Sequence, residues 1–329
     1  MKHTDEIKAL KELIDNDIDR EEYPKDPELI PLYESVVLMK RRYESRLREV
    51  SQAADERDAF YGEMQNIRAQ HHMAEEIQRS MLPSDPERYL DAYGIDLFAD
   101  MDTAWEVGGD YYDHFPLDEN RLFFCIGDVS GKGVPAAIFC SVVKTLIGVS
   151  VQNSDDMAEV FSNVSRSLYT RQNSLGKLFV TIWAGIFDRR DGYVTYINAG
   201  HDSPYIIKAD GIIENVETRS GMPVAAYYNP KKPEKSSYST STIRLGKDDM
   251  LVLYTDGLTD SGDTEGNRYG RDSLEERLKK IPGSRMSAKE TVTYLERSIG
   301  TFSDESRRDD DITIVAIRNL GKMDLPHSG

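Results

Sequence analysis

The sequence predicts an α+β domain of sandwich type behind an N-terminal helical region, and two observations carry that prediction. The first is a change of texture. Residues before about 82 hold almost no strand signal, whereas from about residue 92 apolar segments rich in β-branched and aromatic residues succeed one another. The second is their arrangement. "AGIFDRRDGYVTYINAG" reads as two strands joined at Asp191-Gly192, an antiparallel hairpin, and capped helices stand among the strands. Hairpins mixed with helices indicate an α+β sandwich and not a simple βαβ repeat.

In chain order, "DEIKALKELIDND" is a short amphipathic helix, and three prolines in "EEYPKDPELIP" separate it from the next helix. From Leu32 to Leu82 there is no proline and one glycine, Gly62, so one long helix is expected. Val36, Tyr43, Val50 and Met64 fall on one heptad position, and Met39, Ala53, Phe60 and Ile67 on its companion. Arg46, Arg57 and His71 interrupt this seam, which shifts to Met73, Ile77 and Met81. Such a seam predicts a linker or coiled-coil helix of moderate pairing strength, with packing on its own domain as the alternative. Pro83 and Pro86 close it. Residues 1–82 thus form a helical regulatory or dimerisation region, 83–320 the main domain and 321–329 a flexible tail.

Within the main domain the expected strands are "IDLFAD", "RLFFCI", "LFVTIWAGIF", "YVTYIN", "PYIIK", "MLVLY" and "ITIVAI". Ser154 is expected to cap a helix carrying Met157, Phe161, Val164 and Leu168. Ser287 and Glu290 make a capping box ahead of Val292, Leu295 and Ile299. The polar stretch 229–242 reads as an exposed loop.

Composition narrows the function. The chain has 329 residues and a formal charge of −17. Acidity on this scale argues against a nucleic-acid partner, because such binding needs lysines and arginines against phosphates. The charged start "MKHTDEIKALKEL" lacks a signal-peptide core, and "VPAAIFCSVVKTLIGVSV" reads as an amphipathic helix and not a membrane span. Cys125 and Cys140 have no metal-ligand spacing and read as buried thiols. A soluble cytoplasmic protein is expected.

Four stretches place a carboxylate beside glycine or at the edge of an apolar strand. They are "VGGDYYD" with Asp110, "CIGDVSGKG" with Asp128, "LVLYTDGLTD" with Asp256 and "RRDDDITIV" with Asp310. Singly, each is an ordinary turn. If the strand ends converge, their repulsion must be relieved by protons or cations, and such oxygen ligands suit Mg²⁺ or Mn²⁺. Two such ions, roughly 3.5–4 Å apart, can bridge one water, lower its pKa and aim it at phosphorus. The phosphate-loop alternative fails on spacing, since Ile126 stands where a Walker-type glycine belongs and Gly133 comes directly after Lys132. Lys132 reads as a solvated lysine or a contact to a substrate phosphate. His201, in "NAGHDSP", reads as an orienting or packing histidine in preference to a catalytic base.

From about Asp85 to Asn319 the ordered motifs resemble the bacterial SpoIIE/RsbU-type serine phosphatases, members of the metal-dependent (type 2C-like, PPM) protein phosphatases. The motifs are "VGGDYYD", "GDVSGKGVPAA", "FVTIWAGIFD", "YINAGH", "LYTDGLTD" and "DDDITIV", with "AEEIQRSMLP" resembling the family's helical linker. The resemblance implies an αββα sandwich with two Mn²⁺ or Mg²⁺ ions at one edge. It implies that Asp128 bridges both ions, that the Val129 carbonyl completes one coordination sphere and that Asp256 binds one ion. Aligning Asp-Asp-x-Thr on Thr313 selects Asp310 as ligand and Asp311 as its neighbour, with Asp309 an extra acid, and makes Asp110 an outer ligand, direct or through water. The chain departs from the family at "SGMPVAAYYNP", where Ala225 replaces the second glycine of a Gly-x-Pro-Leu-Gly turn.

The implied function is hydrolysis of phosphoserine or phosphothreonine on a signalling protein, an anti-sigma-factor antagonist in a partner-switching pathway, by direct attack of the bridging water. A homodimer, with an activating protein received at the helical region, is the expected assembly. Two other classes stand beside it: a non-catalytic adaptor with a structural cation site, and a nucleotide-binding kinase-like module prompted by the glycines of "DVSGKG".

Overall fold

The computed structural model describes residues 26–83, 88–171, 178–217, 221–232, 237–282, 286–303 and 310–321. The helix expected within residues 1–25, the residues Asp85, Ser220 and Asp309, and the tail beyond Gly321 lie outside the described residues. The chain divides into two compact units, Met1–Gln70 and His71–Gly329.

In the first unit, Asp26 accepts from the Glu28 amide at 3.0 Å to cap a 3₁₀ turn over Pro27–Leu29. The long helix α1 begins there and runs over Ile30–Met81, its last residues belonging to the second unit, close to its expected bounds, with Pro31 tolerated in the first turn where no intrahelical N–H is needed. Of the expected seam, Met39, Tyr43, Val50, Phe60 and Ile67 are exposed.

In the second unit, helix α2 (Arg88–Tyr93) leads into ten strands: β1 (Ile95–Asp102), β2 (Tyr111–Pro116), β3 (Arg121–Val129), β4 (Val180–Asp188), β5 (Tyr193–Ala199), β6 (Tyr205–Ile207), β7 (Ile213–Asn215), β8 (Ser241–Arg244), β9 (Met250–Tyr254) and β10 (Ile312–Asn319). They form two antiparallel five-stranded sheets, ordered β1-β10-β9-β6-β7 and β2-β3-β4-β5-β8. Helices α3 (Val134–Gln152) and α4 (Met157–Arg171) cover the second sheet. Past the short α5 (Asp256–Asp260), helices α6 (Gly270–Leu278) and α7 (Ala288–Gly300) cover the first. This is the expected αββα sandwich.

Three apolar layers arise from side-chain alternation along the strands. On β3, Phe123 and Cys125 pack under α3 and α4, whereas Leu122, Phe124 and Ile126 fill the space between the sheets. On β10, Val315 and Ile317 face the other sheet, and Ile314 and Ala316 face α6 and α7. Central strands buried on both faces read as unbroken apolar runs, as "MLVLY" does, so alternation is invisible in them. On α7, Val292, Leu295 and Ile299 are fully buried, each worth about 1.5–3 kcal/mol of burial.

Several local expectations hold. The hairpin turns at Asp191-Gly192, with Gly192 at φ +76 and Asp188 opposite Tyr193. The Ser287–Glu290 capping box is formed in both directions. Others change. The cap of α4 is Asp156, whose carboxylate accepts from the Glu159 amide at 3.0 Å, while Ser154 accepts from the Asp156 amide one step upstream. The stretch 229–242 is not loop throughout: Ser241 and Thr242 begin β8, an exposed edge strand paired with Tyr193–Tyr196. Ala225 takes the left-handed backbone (φ 66) usual for glycine. Helix α3 is, among the described residues, the one helix long and apolar enough to cross a membrane. Its inward residues Phe139, Cys140, Val143 and Ile147 pack into the layer beneath it.

Candidate active site

Antiparallel pairing brings four acid-bearing strand ends to one edge of the sandwich. Asp128 lies near the end of β3, opposite Thr181 on β4, and Asp110 immediately precedes β2. Asp256 comes just after β9 as the first residue of α5, and Asp310 and Asp311 immediately precede β10. Each sheet therefore contributes acids to the same edge.

The carboxylates repel one another. Burial, then Asp256, Asp310 and Asp311, push Asp128 up to about 8, with Lys132 pulling the other way. Asp256 is raised by burial, then by Asp310, Asp202 and Asp260. Asp202 in turn pairs with Arg271. Lys132 Nζ lies 3.3 Å from Asp310 Oδ2. At the end of β3 the Val129 amide donates to the Gly109 carbonyl at 3.3 Å.

Two of the acids are held by the protein itself. Asp110 is 2% exposed, and its Oδ2 accepts from the Thr255 hydroxyl at 2.8 Å and the Thr313 hydroxyl at 2.6 Å. Burial, then Asp128 and Asp311, raise its pKa well above the ordinary value, against the two hydroxyls. Asp311 accepts from the Ala104 amide at 2.8 Å and the Gly109 amide at 2.7 Å. Its side chain fits only because residue 108 is glycine: a Cβ there would stand 2.5 Å from Asp311 Oδ2. Gly257 serves the same end, since a Cβ there would meet the Asp311 carbonyl at 2.0 Å.

His201 is buried, and its ring bridges the sheets. Nε2 faces the Tyr254 carbonyl at 3.1 Å, and Nδ1 faces the Thr181 hydroxyl at 2.9 Å. Burial lowers its pKa to about 4, so the ring is neutral at neutral pH. The thiols of Cys125 and Cys140 are buried and raised, chiefly by desolvation, which leaves neither poised as a nucleophile.

Several contributors escape a reading of the sequence. Thr255, Thr313 and Thr181 look like ordinary strand residues until the sheets are stacked. Gln78, buried near the end of α1, clasps Gly108 from both sides: Nε2 donates to its carbonyl at 2.7 Å, and Oε1 accepts from its amide at 3.0 Å. The one available signal is a glutamine in the "AEEIQRSMLP" segment.

The acid edge suits divalent cations in charge and in hard-oxygen chemistry, and its mutual repulsion is what a bound cation would relieve. Among the described residues, no group of three or more His, Cys, Asp or Glu side chains is closed around one ion position as it stands. Asp110 and Asp311 are turned to hydroxyls and amides instead.

The family described as Stage II sporulation protein E (SpoIIE) matches residues 118–319. The chain is 29% identical over 270 residues to Protein IcfG of Synechocystis, covering 74% of this chain and 40% of that protein. It is 26% identical over 268 residues to the phosphoserine phosphatase RsbU of Bacillus subtilis, covering 81% of this chain and 75% of that protein. In structure it is similar to the SiaA-PP2C domain of Pseudomonas aeruginosa, with a TM-score of 0.65 at 21% identity, over 78% of this chain and 98% of that one. With the family match over most of its sandwich domain and a PP2C-like fold around the acid edge, the chain belongs to the SpoIIE family.

Proposed function

We propose that the chain hydrolyses phosphoserine or phosphothreonine on a signalling protein, using two Mn²⁺ or Mg²⁺ ions held at the acid edge. The observation that carries this reading is the convergence of Asp128, Asp256 and Asp310 from both sheets, with a repulsion that holds Asp128 near 8. Asp128 from the second sheet, with the Val129 carbonyl as a neutral oxygen beside it, and Asp256 and Asp310 from the first sheet would hold the ions, with Asp110 as an outer ligand, direct or through water. When bound, the cations lower the pKa of an attacking water and neutralise charge on the phosphoryl oxygens.

The protein's own residues orient and screen. Thr255 and Thr313 hold Asp110, and the Ala104 and Gly109 amides hold Asp311. Cys125 and Cys140 are buried, so neither thiol is available for a covalent step.

The substrate of this reading is a small phosphorylated protein of the anti-sigma-factor-antagonist kind. The likeness to RsbU, a phosphoserine phosphatase by name, supports phosphoserine as the group removed. The exposed apolar residues of α1 support dimerisation or reception of an activating protein. Phosphate release from an aryl phosphate and a phosphoserine peptide, with and without Mn²⁺, tests the reading. Turnover is expected to require Mn²⁺ and to fall at least about 10²-fold in Asp256→Asn, because one ligand of the charge-stabilising site is lost. Mn²⁺-independent turnover, or full activity in Asp256→Asn, would overturn it, and folded, metal-loaded but inactive protein would favour an adaptor.

A further inference from the structure

We infer that His201 is a positioning residue whose imidazole braces the acid-bearing end of one sheet against that of the other and sets the spacing between Asp128 and Asp256. The inference rests on the reading that these two carboxylates hold metal.

The geometry is specific. Thr181, on one side of the ring, is the cross-strand partner of Asp128. Tyr254, on the other, ends β9 two residues before Asp256. The ring therefore joins a neighbour of one candidate ligand to a neighbour of the other, across two sheets that share no strand. Its backbone is fixed as well. Asn198 Oδ1 accepts from the His201 amide at 2.8 Å, and Asn198 Nδ2 donates to its carbonyl at 2.9 Å.

The bonds also fix the tautomer. A carbonyl can only accept, so Nε2 carries the proton toward Tyr254, and in the neutral ring Nδ1 must then accept from Thr181. The Thr181 hydroxyl has one proton and two candidate acceptors, Nδ1 at 2.9 Å and the Asp128 carbonyl at 3.4 Å, and the shorter contact takes it. A neutral imidazole offers a donor at one end and an acceptor at the other of a rigid plane. Glutamine offers both groups on a flexible stem, and leucine offers neither. Partners that orient ligands in this indirect way typically shift metal affinity by about 10–100-fold when removed.

The test is Mn²⁺ affinity of the full chain by calorimetry, read beside thermal melts. His201→Leu is expected to weaken Mn²⁺ binding about 10–100-fold. Thr181→Val, which removes only the hydroxyl, should weaken it about 10-fold, and His201→Gln should recover much of the loss. Should His201→Leu not fold, Thr181→Val and His201→Gln decide. ¹⁵N NMR of the metal-free wild type should show the Nε2–H tautomer. A merely structural role would lower the melting temperature and leave Mn²⁺ affinity unchanged, and that result, or an Nδ1–H tautomer, would overturn the inference. Wild-type protein that binds no Mn²⁺ would overturn the metal reading and this inference with it, whereas equal affinities across wild type and variants would overturn the inference alone.

Discussion

Asp128 concentrates the physics of the site. Its carboxyl is held near 8, against an ordinary value of 3.8, by burial and by three acids reaching it from the facing sheet. A folded-state pKa raised in this way means that the native protein keeps a proton the unfolded chain releases. The stability tied to that proton is fully present below about pH 4 and is lost as the pH rises toward 8. Metal-free protein should therefore melt at progressively lower temperature from about pH 5 to about pH 8. Mn²⁺ should raise the melting temperature most at the alkaline end, and Asp128→Asn should flatten the trend. A melting temperature of the EDTA-treated protein that is constant or rises across that range would contradict this. At Gly257 the constraint is steric. Gly257→Ala forces a methyl to within 2.0 Å of the Asp311 carbonyl. The main chain must shift, at a cost of about 3 kcal/mol, with weaker Mn²⁺ binding alongside, both measurable by denaturant melts and calorimetry.

Between elements, the clasp of Gln78 on Gly108 fastens the end of α1 to the loop that enters β2. That loop carries Asp110, and its Gly109 amide holds Asp311. Removing the clasp leaves a buried amide and a buried carbonyl without their partner, and each such group costs about 1–3 kcal/mol. Gln78→Leu should lower stability by at least about 2 kcal/mol in a urea melt and raise the Mn²⁺ concentration needed for half-maximal turnover. Unchanged Mn²⁺ dependence would mean the clasp serves the fold alone. Elements also show how much the sequence disclosed. The seven strands expected from the sequence all exist, because β-branched runs between turn residues had no competing interpretation. β2, β7 and β8 were missed: two are short edge strands with little burial, and β2 hides behind the glycines of "VGGDYYD". The cap of α4 moved from Ser154 to Asp156 because either side chain can accept a helix N-terminal amide, and spacing alone does not choose between them.

At the scale of the molecule, the first unit presents apolar side chains outward along α1, among them Met39, Tyr43, Val50 and Phe60. Isolated exposed apolar residues are ordinary, but these recur at heptad spacing, which suits a second helix. Analytical ultracentrifugation should give a dimer mass for the full chain and a monomer mass for residues 83–329. Equal association states for the two would rule out pairing through α1.

The sequence by itself determined the class of fold, the order of the main strands, the placing of acids at strand ends and the family. Each of these depends on local pattern: β-branched runs, turn residues, capping boxes and motifs kept in order. What only the tertiary structure decided is which of those acids meet and what holds them. Asp110 against Thr255 and Thr313, Asp311 against the Gly109 amide, His201 between Thr181 and Tyr254, and Gln78 on Gly108 all join residues 20 to 203 positions apart. Such pairs leave no periodic trace along the chain, because a hydrogen bond between elements far apart in sequence depends on how those elements pack and not on local pattern.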